Sequence, residues 1–330
     1  MKKLDRRFCT APMMDWTDRH CRAFHRVLTR RALLYTEMLT ADAVLHGDRA
    51  RLLGYSDVEH PVALQFGGSE PEKLAGAARI GAELGYDEIN LNVGCPSDRV
   101  QAGRFGACLM REPALVAELW RAMQEAAPDT PVTIKSRLGV DEQDPREALF
   151  DLVDRVAAAG CRTFIVHARK AWLRGLSPKD NREIPQLDYE LVRELKRARP
   201  DLEIVLNGGL RDVVHARAEG VGLDGVMLGR AAYQNPAHLL DVDALIFGKA
   251  SPVPSREAAV EAYIPYIESQ LSASAPLHAM TRHMLGLFHA RPGGRTWRRA
   301  LSEQGVRAGA GLEVLRTALE HVSRSATRAA

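Results

Sequence analysis

Three observations in the sequence predict an α/β fold, a (β/α)₈ TIM barrel followed by a C-terminal all-helical domain. Eight short apolar, β-rich runs recur along the first 248 residues, each followed by a helix candidate. Eight such units point to a closed barrel before an open sheet. The alternation then stops at a Pro/Ser-rich stretch, Gly248-Lys-Ala-Ser-Pro-Val-Pro-Ser255, and Arg256–Arg328 reads as helices only. The expected division is a barrel domain at 1–248 and a helical domain at 249–330.

The strand candidates are Phe8–Ala11, Leu33–Glu37, Val62–Phe66, Ile89–Asn92, Val132–Lys135, Thr163–His167, Ile204–Asn207 and Gly225–Gly229, each apolar and bounded by turn-forming residues. Several of the intervening helices carry start signals. Ser69-Glu-Pro-Glu72 has the spacing of a capping box, and Asp144-Pro145 and Asn235-Pro236 each set an N-cap before a helix-initiating proline. Barrel active sites lie at the C-terminal ends of the strands. The residues there are Met13 and Met14, Glu37, Gln65, Asn92 with Cys95, Lys135, His167, Asn207, and Gly229 with Arg230, so every strand delivers a candidate.

Glu88-Ile-Asn-Leu-Asn-Val-Gly-Cys-Pro-Ser97 is the most informative stretch, because it carries Cys95 past the end of a buried strand into a turn. A thiol there sits beside a ligand, whereas most lone cysteines are small buried hydrophobes. Asn90 and Asn92 favour the first reading: amides on an apolar strand need partners, and a bound ligand would supply them. Asn207-Gly208-Gly209 and Gly229-Arg230 fall after strands seven and eight, where barrels hold phosphate with backbone N–H groups. Lys135, costly to bury alone, is to meet an anion or an electron-rich ring, to form a Schiff base, or to pair with Glu37. His167 is open among a base, a cofactor contact and a core histidine. Gln65 can donate and accept at once, which suits a heteroaromatic edge. Ala11-Pro12-Met13 offers backbone and a soft thioether to cover a flat ring.

Composition excludes much. With 330 residues and 46% hydrophobic content the chain can bury a large core, and a net charge of +3 does not by itself announce nucleic acid. Its five cysteines form no C-x-x-C pair, so no metal site is expected and a reduced, cytoplasmic protein is the simplest account. No leader-like or membrane-spanning run is evident, which gives an expectation of no membrane association. The chain is expected to act as a monomer.

Ala11-Pro-Met13, Gln65, Asn92-Val-Gly-Cys-Pro-Ser97, Lys135, His167-Ala-Arg169, Asn207-Gly-Gly209 and Gly229-Arg230, in this order, resemble the tRNA-dihydrouridine synthases nearly end to end. Arg104-Phe-Gly-Ala-Cys-Leu-Met110, His167-Ala-Arg-Lys-Ala-Trp172, Gly175-Leu-Ser-Pro-Lys179, Asn181-Arg-Glu-Ile-Pro185 and Arg282-His-Met-Leu-Gly-Leu-Phe288 look like its A subgroup. The resemblance implies an FMN-containing barrel, NADPH as reductant, a helical domain that grips tRNA, and D-loop uridines 20 and 20a as targets. Carried over, Ala11, Pro12, Met13, Gln65, Lys135, His167, Asn207, Gly208, Gly209, Gly229 and Arg230 would hold FMN, and Cys95 would be the general acid that protonates C5 of a flipped-out uridine. One departure is Ala102, where the family pattern leads to asparagine.

Two basic segments bear on an RNA substrate. The loop 170–186 carries Lys170, Trp172, Arg174, Lys179 and Arg182, and Arg282, Arg291, Arg295, Trp297, Arg298 and Arg299 lie between Glu268 and Glu303 with no acid between them. Cations with an interleaved aromatic suit phosphate contact and base stacking; the plain alternative is a solvated charged face. Asn92, Arg174, Lys179, Arg182, Arg295, Arg298 and Arg299 are the candidate tRNA contacts. The rival readings are a dihydroorotate-dehydrogenase-like flavoprotein acting on a free pyrimidine, a Schiff-base aldolase using Lys135, and a tRNA-binding chaperone without catalysis.

Overall fold

Eight short strands, buried along nearly their whole length, build a closed, all-parallel barrel in the order of the sequence: β1 (Phe8–Thr10), β2 (Leu33–Thr40), β3 (Val62–Gly67), β4 (Glu88–Val93), β5 (Val132–Ser136), β6 (Thr163–His167), β7 (Glu203–Asn207) and β8 (Gly225–Leu228). A computed structural model supplies the coordinates and describes residues 4–327. β1 pairs with β2 on one side and with β8 on the other, Phe8 against Val226 and Thr10 against Leu228, so the sheet has no edge. Parallel strands covered by helices read as apolar runs, which is why the pattern was legible.

Alternate residues face the barrel axis. Cys9, Ala11, Leu33, Tyr35, Ala63, Ile165, Val205 and Met227 form one buried cluster there, apart from the larger core between strands and helices. Two residues further along the same strands come Gln65, His167, Asn207 and Gly229. The strand parity that fills the lower barrel with hydrophobes therefore delivers polar groups to its mouth.

The helix signals fare unevenly. Asp144 caps Pro145–Ala158 by accepting from the N–H groups of Arg146 and Glu147, as its sequence predicts. The capping box at Ser69 does not form: Glu70 is the N-cap of Pro71–Glu83, without a side-chain bond, because Pro71 opens the helix one residue later than the box requires. After Asn235 comes a 3-10 turn, Pro236–Asp241, and the Asn235 amide meets His238 instead of capping it.

No helix or strand occupies residues 246–255; Ser255 then caps Arg256–Ser272, followed by Leu277–Thr281, Gly294–Glu303 and Leu312–Thr327. Arg256–Ser272 and Leu277–Thr281 pack on the first barrel helix, Arg19–Leu28, and the last two helices pack on them and on each other. The Tyr263 hydroxyl donates to His20 O at 2.8 Å, and the Asp18 carboxylate, which caps Cys21 N, also meets Arg282 at 2.5 Å and His283 at 3.0 Å. Burial alone would raise the Asp18 pKa, but His283, the Cys21 N–H and Arg282 hold it well below the ordinary carboxylate range. Trp297, read from sequence as an RNA-stacking residue, is fully buried; its indole N–H donates to Met284 O and its ring packs edge-on against Phe288. A side chain of that size on the inner face of an amphipathic helix is core.

Candidate functional site

The Cys95 turn is held by its neighbours on β4. The Asn92 carboxamide oxygen accepts from the N–H groups of Gly94 at 3.0 Å and Cys95 at 2.9 Å, and the Cys95 carbonyl accepts from Ala107 N at 2.9 Å. The thiol is half-buried, with Ser97 Oγ at 3.5 Å as its polar neighbour. Asn92 is itself fixed: its Nδ2 donates to Gln65 Oε1 at 2.8 Å, Gln65 Nε2 donates to Asn90 Oδ1 at 2.8 Å, and Asn90 Nδ2 donates to Thr133 Oγ1 at 2.8 Å. The chain ends on Glu88, fully buried, which accepts from Thr133 at 2.6 Å, from Arg6 at 2.6 Å and from the Tyr35 hydroxyl.

This ladder corrects the sequence reading of the two asparagines. Each has protein partners through both its amide oxygen and its amide nitrogen, and what they orient is the thiol loop. Gln65 likewise spends one donor and one acceptor on Asn90 and Asn92, leaving one N–H and one lone pair for a ligand.

Cationic side chains surround the thiol. Lys135 Nζ donates to Asn207 Oδ1 at 3.0 Å, and Asn207 Nδ2 donates to Met227 O at 2.8 Å. The anticipated partner Glu37 is elsewhere, accepting from Asp15 N. Desolvation first, and Arg137 second, pull the Lys135 pKa down to about 7; a charge on Cys95 works the other way. His167 is held neutral, its pKa driven well below the usual value by burial and by Arg137 and Lys135. Arg137 itself escaped the sequence reading. It is 3% exposed and donates to Gly94 O, Lys170 O and Asn181 O, pinning the loops after β4 and β6 together. Lys135-Ser-Arg137 sits at strand spacing, and that is the signal that would have found it.

A depressed lysine pKa has a definite pH signature. Between about pH 7 and the ordinary value of 10.5 the unfolded chain binds the proton that folded Lys135 does not, so stability of the ligand-free protein rises with pH across that window. Below pH 7 both states are charged and the burial cost is present in full. Lys135→Met removes this term. Urea midpoints at pH 7 and pH 9.5 should converge upward for the wild type relative to the variant; a constant gap would contradict the assignment.

The loop after β7 has backbone that a ligand can approach closely. Gly208 (φ +109°) and Gly209 (φ +65°) adopt left-handed geometry, and an added Cβ would come within 2.4 Å of His167 Cδ2 or Leu187 Cδ1. Among the described residues the N–H groups of Gly209 and Leu210 have no protein acceptor. Arg230 reaches across to Glu183 of the 170–186 loop at 2.7 Å, a part-exposed ion pair. Ala11 is buried beside Gly229, while Pro12 and Met13 are half-buried at the mouth.

The loop 170–186 is organised by buried Asn181, which accepts from Trp172 N and donates to Trp172 O and Leu176 O. Arg174, Lys179 and Arg182 are exposed on it, and Arg182 lies close enough to Cys95 for the two charges to interact. In the helical domain Arg295 and Arg298 are exposed without an ion pair among the described residues, Arg299 meets Glu303, and Arg282 is committed to Asp18. Ala102 is exposed at the end of the short helix Asp98–Ala102, and the loop contacts come from Gln101, whose amide donates to Pro96 O and Leu173 O.

A family model described as dihydrouridine synthase matches residues 9–326. The chain belongs to the dihydrouridine synthase family. It is 57% identical over 321 residues to a protein of Shewanella oneidensis, covering 97% of this chain and 95% of the relative. A Xanthomonas axonopodis relative is 58% identical over 322 residues (98% and 96% covered), and one from Escherichia coli 54% over 318 (96% and 92%). Each is named tRNA-dihydrouridine(20/20a) synthase. Solved structures give the fold: a 2-naphthoyl-CoA reductase (TM-score 0.56, 10% identity, 72% of this chain and 49% of that one) and an old yellow enzyme homologue of Zymomonas mobilis (0.53, 12%, 74% and 89%). This dihydrouridine synthase has no helix among its described residues long and apolar enough to cross a membrane, and no group of three or more metal-type side chains there.

Proposed function

We propose that this dihydrouridine synthase reduces the C5=C6 bond of the adjacent tRNA uridines 20 and 20a, using FMN with NADPH as reductant, as a cytoplasmic monomer. The observation that carries the reading is the Cys95 thiol, held by Asn92 at the barrel mouth within the field of Lys135, Arg137 and Arg182. The residues present fit FMN. His167 is a neutral imidazole whose ring nitrogens have no partner among the described residues, Lys135 has two N–H groups unspent, and Gly209 and Leu210 offer amides without a protein acceptor to a phosphate.

A flavin bound there supplies the hydride that goes to C6 of the pyrimidine. The protein does the rest. Lys135 would face the bound ring, where a nearby negative charge would favour its protonated form by offsetting the desolvation that depresses it. Cys95 gives its proton to C5. Arg137, bonded to three backbone carbonyls, keeps the thiol loop and the 170–186 loop in register. A helix-paired uridine could not reach the mouth, so the target base must leave its stack. A lysine near neutrality would also suit a Schiff base, but family membership sets that reading aside.

The test is a visible spectrum of the purified protein followed by anaerobic NADPH and then unmodified tRNA. Bleaching by NADPH with recovery only on adding tRNA is expected; recovery with orotate in place of tRNA would favour a free pyrimidine. For the RNA face, removing Arg295 and Arg298 should weaken tRNA binding and lower its log–log salt slope by roughly 1.5. Flavin content should stay as it is. An unchanged slope would remove these helices from the RNA path.

A further inference from the structure

A cavity of about 640 Å³ opens beside the Cys95 loop, walled by the segments after β4, β5 and β6. Its wall is continuous with the catalytic turn: Gln101 donates to Pro96 O, and the 3-10 turn carrying Cys108 is anchored by Ala107 N on Cys95 O. The volume suits one nucleotide. Trp172 supplies an aromatic wall, with Lys170 Nζ 5.5 Å from its ring centre.

The charges of the lining identify the occupant. Three arginines face three acids, but Arg111 pairs with Asp141, and Arg104 lies 3.9 Å from Glu112. One cation, Arg174, and one anion, Glu142, remain without an ion pair among the described residues, both exposed. A nicotinamide dinucleotide phosphate would bring several negative charges to a balanced site. A single nucleotide brings one, together with whatever donors its base edge holds.

Resting on the functional reading above, we propose that this cavity takes the uridine adjoining the one being reduced: Arg174 holds its phosphate, Trp172 its base, and the Glu142 carboxylate accepts from its N3–H. Uridine and dihydrouridine both keep N3–H, so the cavity accepts the neighbour before or after its own reduction.

The experiment uses the flavin-loaded enzyme and tRNA transcripts in which one of the two adjacent uridines is replaced by cytidine, which lacks N3–H. Dihydrouridine is quantified by position. In the wild type, one of the two replacements should lower kcat/KM at the remaining uridine about tenfold, the value of one hydrogen bond to a charged group. In Glu142→Ala that penalty should fall below about twofold, with flavin content and tRNA-free flavin reduction by NADPH unchanged. Equal penalties in the two proteins, or none in the wild type, would overturn the inference. A raised KM for NADPH in Glu142→Ala would reassign the cavity to the reductant. Absence of dihydrouridine from wild-type reactions on unaltered tRNA would sink the functional reading itself, a separate result.

Discussion

Cys95→Ala lowers dihydrouridine formation by about 10²–10⁴-fold, the usual value of a positioned general acid, while the protein stays yellow and NADPH still bleaches it. The expectation rests on how the loop is held. Asn92 Oδ1 grips the N–H groups of Gly94 and Cys95, and Ala107 grips the Cys95 carbonyl, so no backbone anchor involves the thiol. Removing Sγ therefore deletes a proton donor and leaves the cradle standing. Cys95→Ser, a weaker acid of similar size, should fall between the two. Single-turnover reoxidation of reduced enzyme by tRNA is the decisive measurement, because it isolates the step in which C5 is protonated. Wild-type speed in Cys95→Ala would remove the thiol from the chemistry.

Glu88→Ala should destabilise the fold by about 3–5 kcal/mol, the range for stranding one partner of a buried ion pair. Glu88 is fully buried and accepts from Arg6, Tyr35 and Thr133; without it Arg6 keeps only Glu203, at 2.8 Å. A fall in melting temperature on the order of 4–7 °C follows for a chain of this size. Because Thr133, Asn90, Gln65 and Asn92 hang from this carboxylate in series, molecules that remain folded should also lose order at Cys95. Glu88→Gln keeps an acceptor for Thr133 and should lose less. Melting within a degree of wild type would mean that the barrel base does not depend on the pair.

The barrel was legible because its strands are buried on both faces and short, so each appears as a compact apolar run, and the strand candidates coincide with the observed strands to within a few residues. The mouth residues were legible for a second reason: strand parity carries Gln65, Lys135, His167 and Asn207 to one end. What the sequence hid was pairing. Nothing in the spacing of Gln65, Asn90 and Asn92 says that three amides on two strands satisfy one another, because that depends on the register of β3 against β4, Gln65 beside Asn90. Arg137 was hidden by its burial, since arginines read as surface until a carbonyl-lined pocket is known. Trp297 failed in the opposite sense: its basic neighbours suggested RNA, while its helical face made it core. Family membership, shared over nearly the whole length, bears out the resemblance that the strand-end motifs carried.

The seam between β1 and β8 gives the barrel a constraint in time as well as in space. Leu228 leaves the ribosome about 220 residues after Phe8, which at ordinary synthesis rates is roughly 10–40 s. Throughout that interval the growing sheet carries two open edges, and Arg6, whose acidic partners stand on β4 and β7, lacks the second until Glu203 emerges. The N-terminal strand of three residues is too short to template much by itself, which limits pairing with other nascent chains while the sheet waits to close.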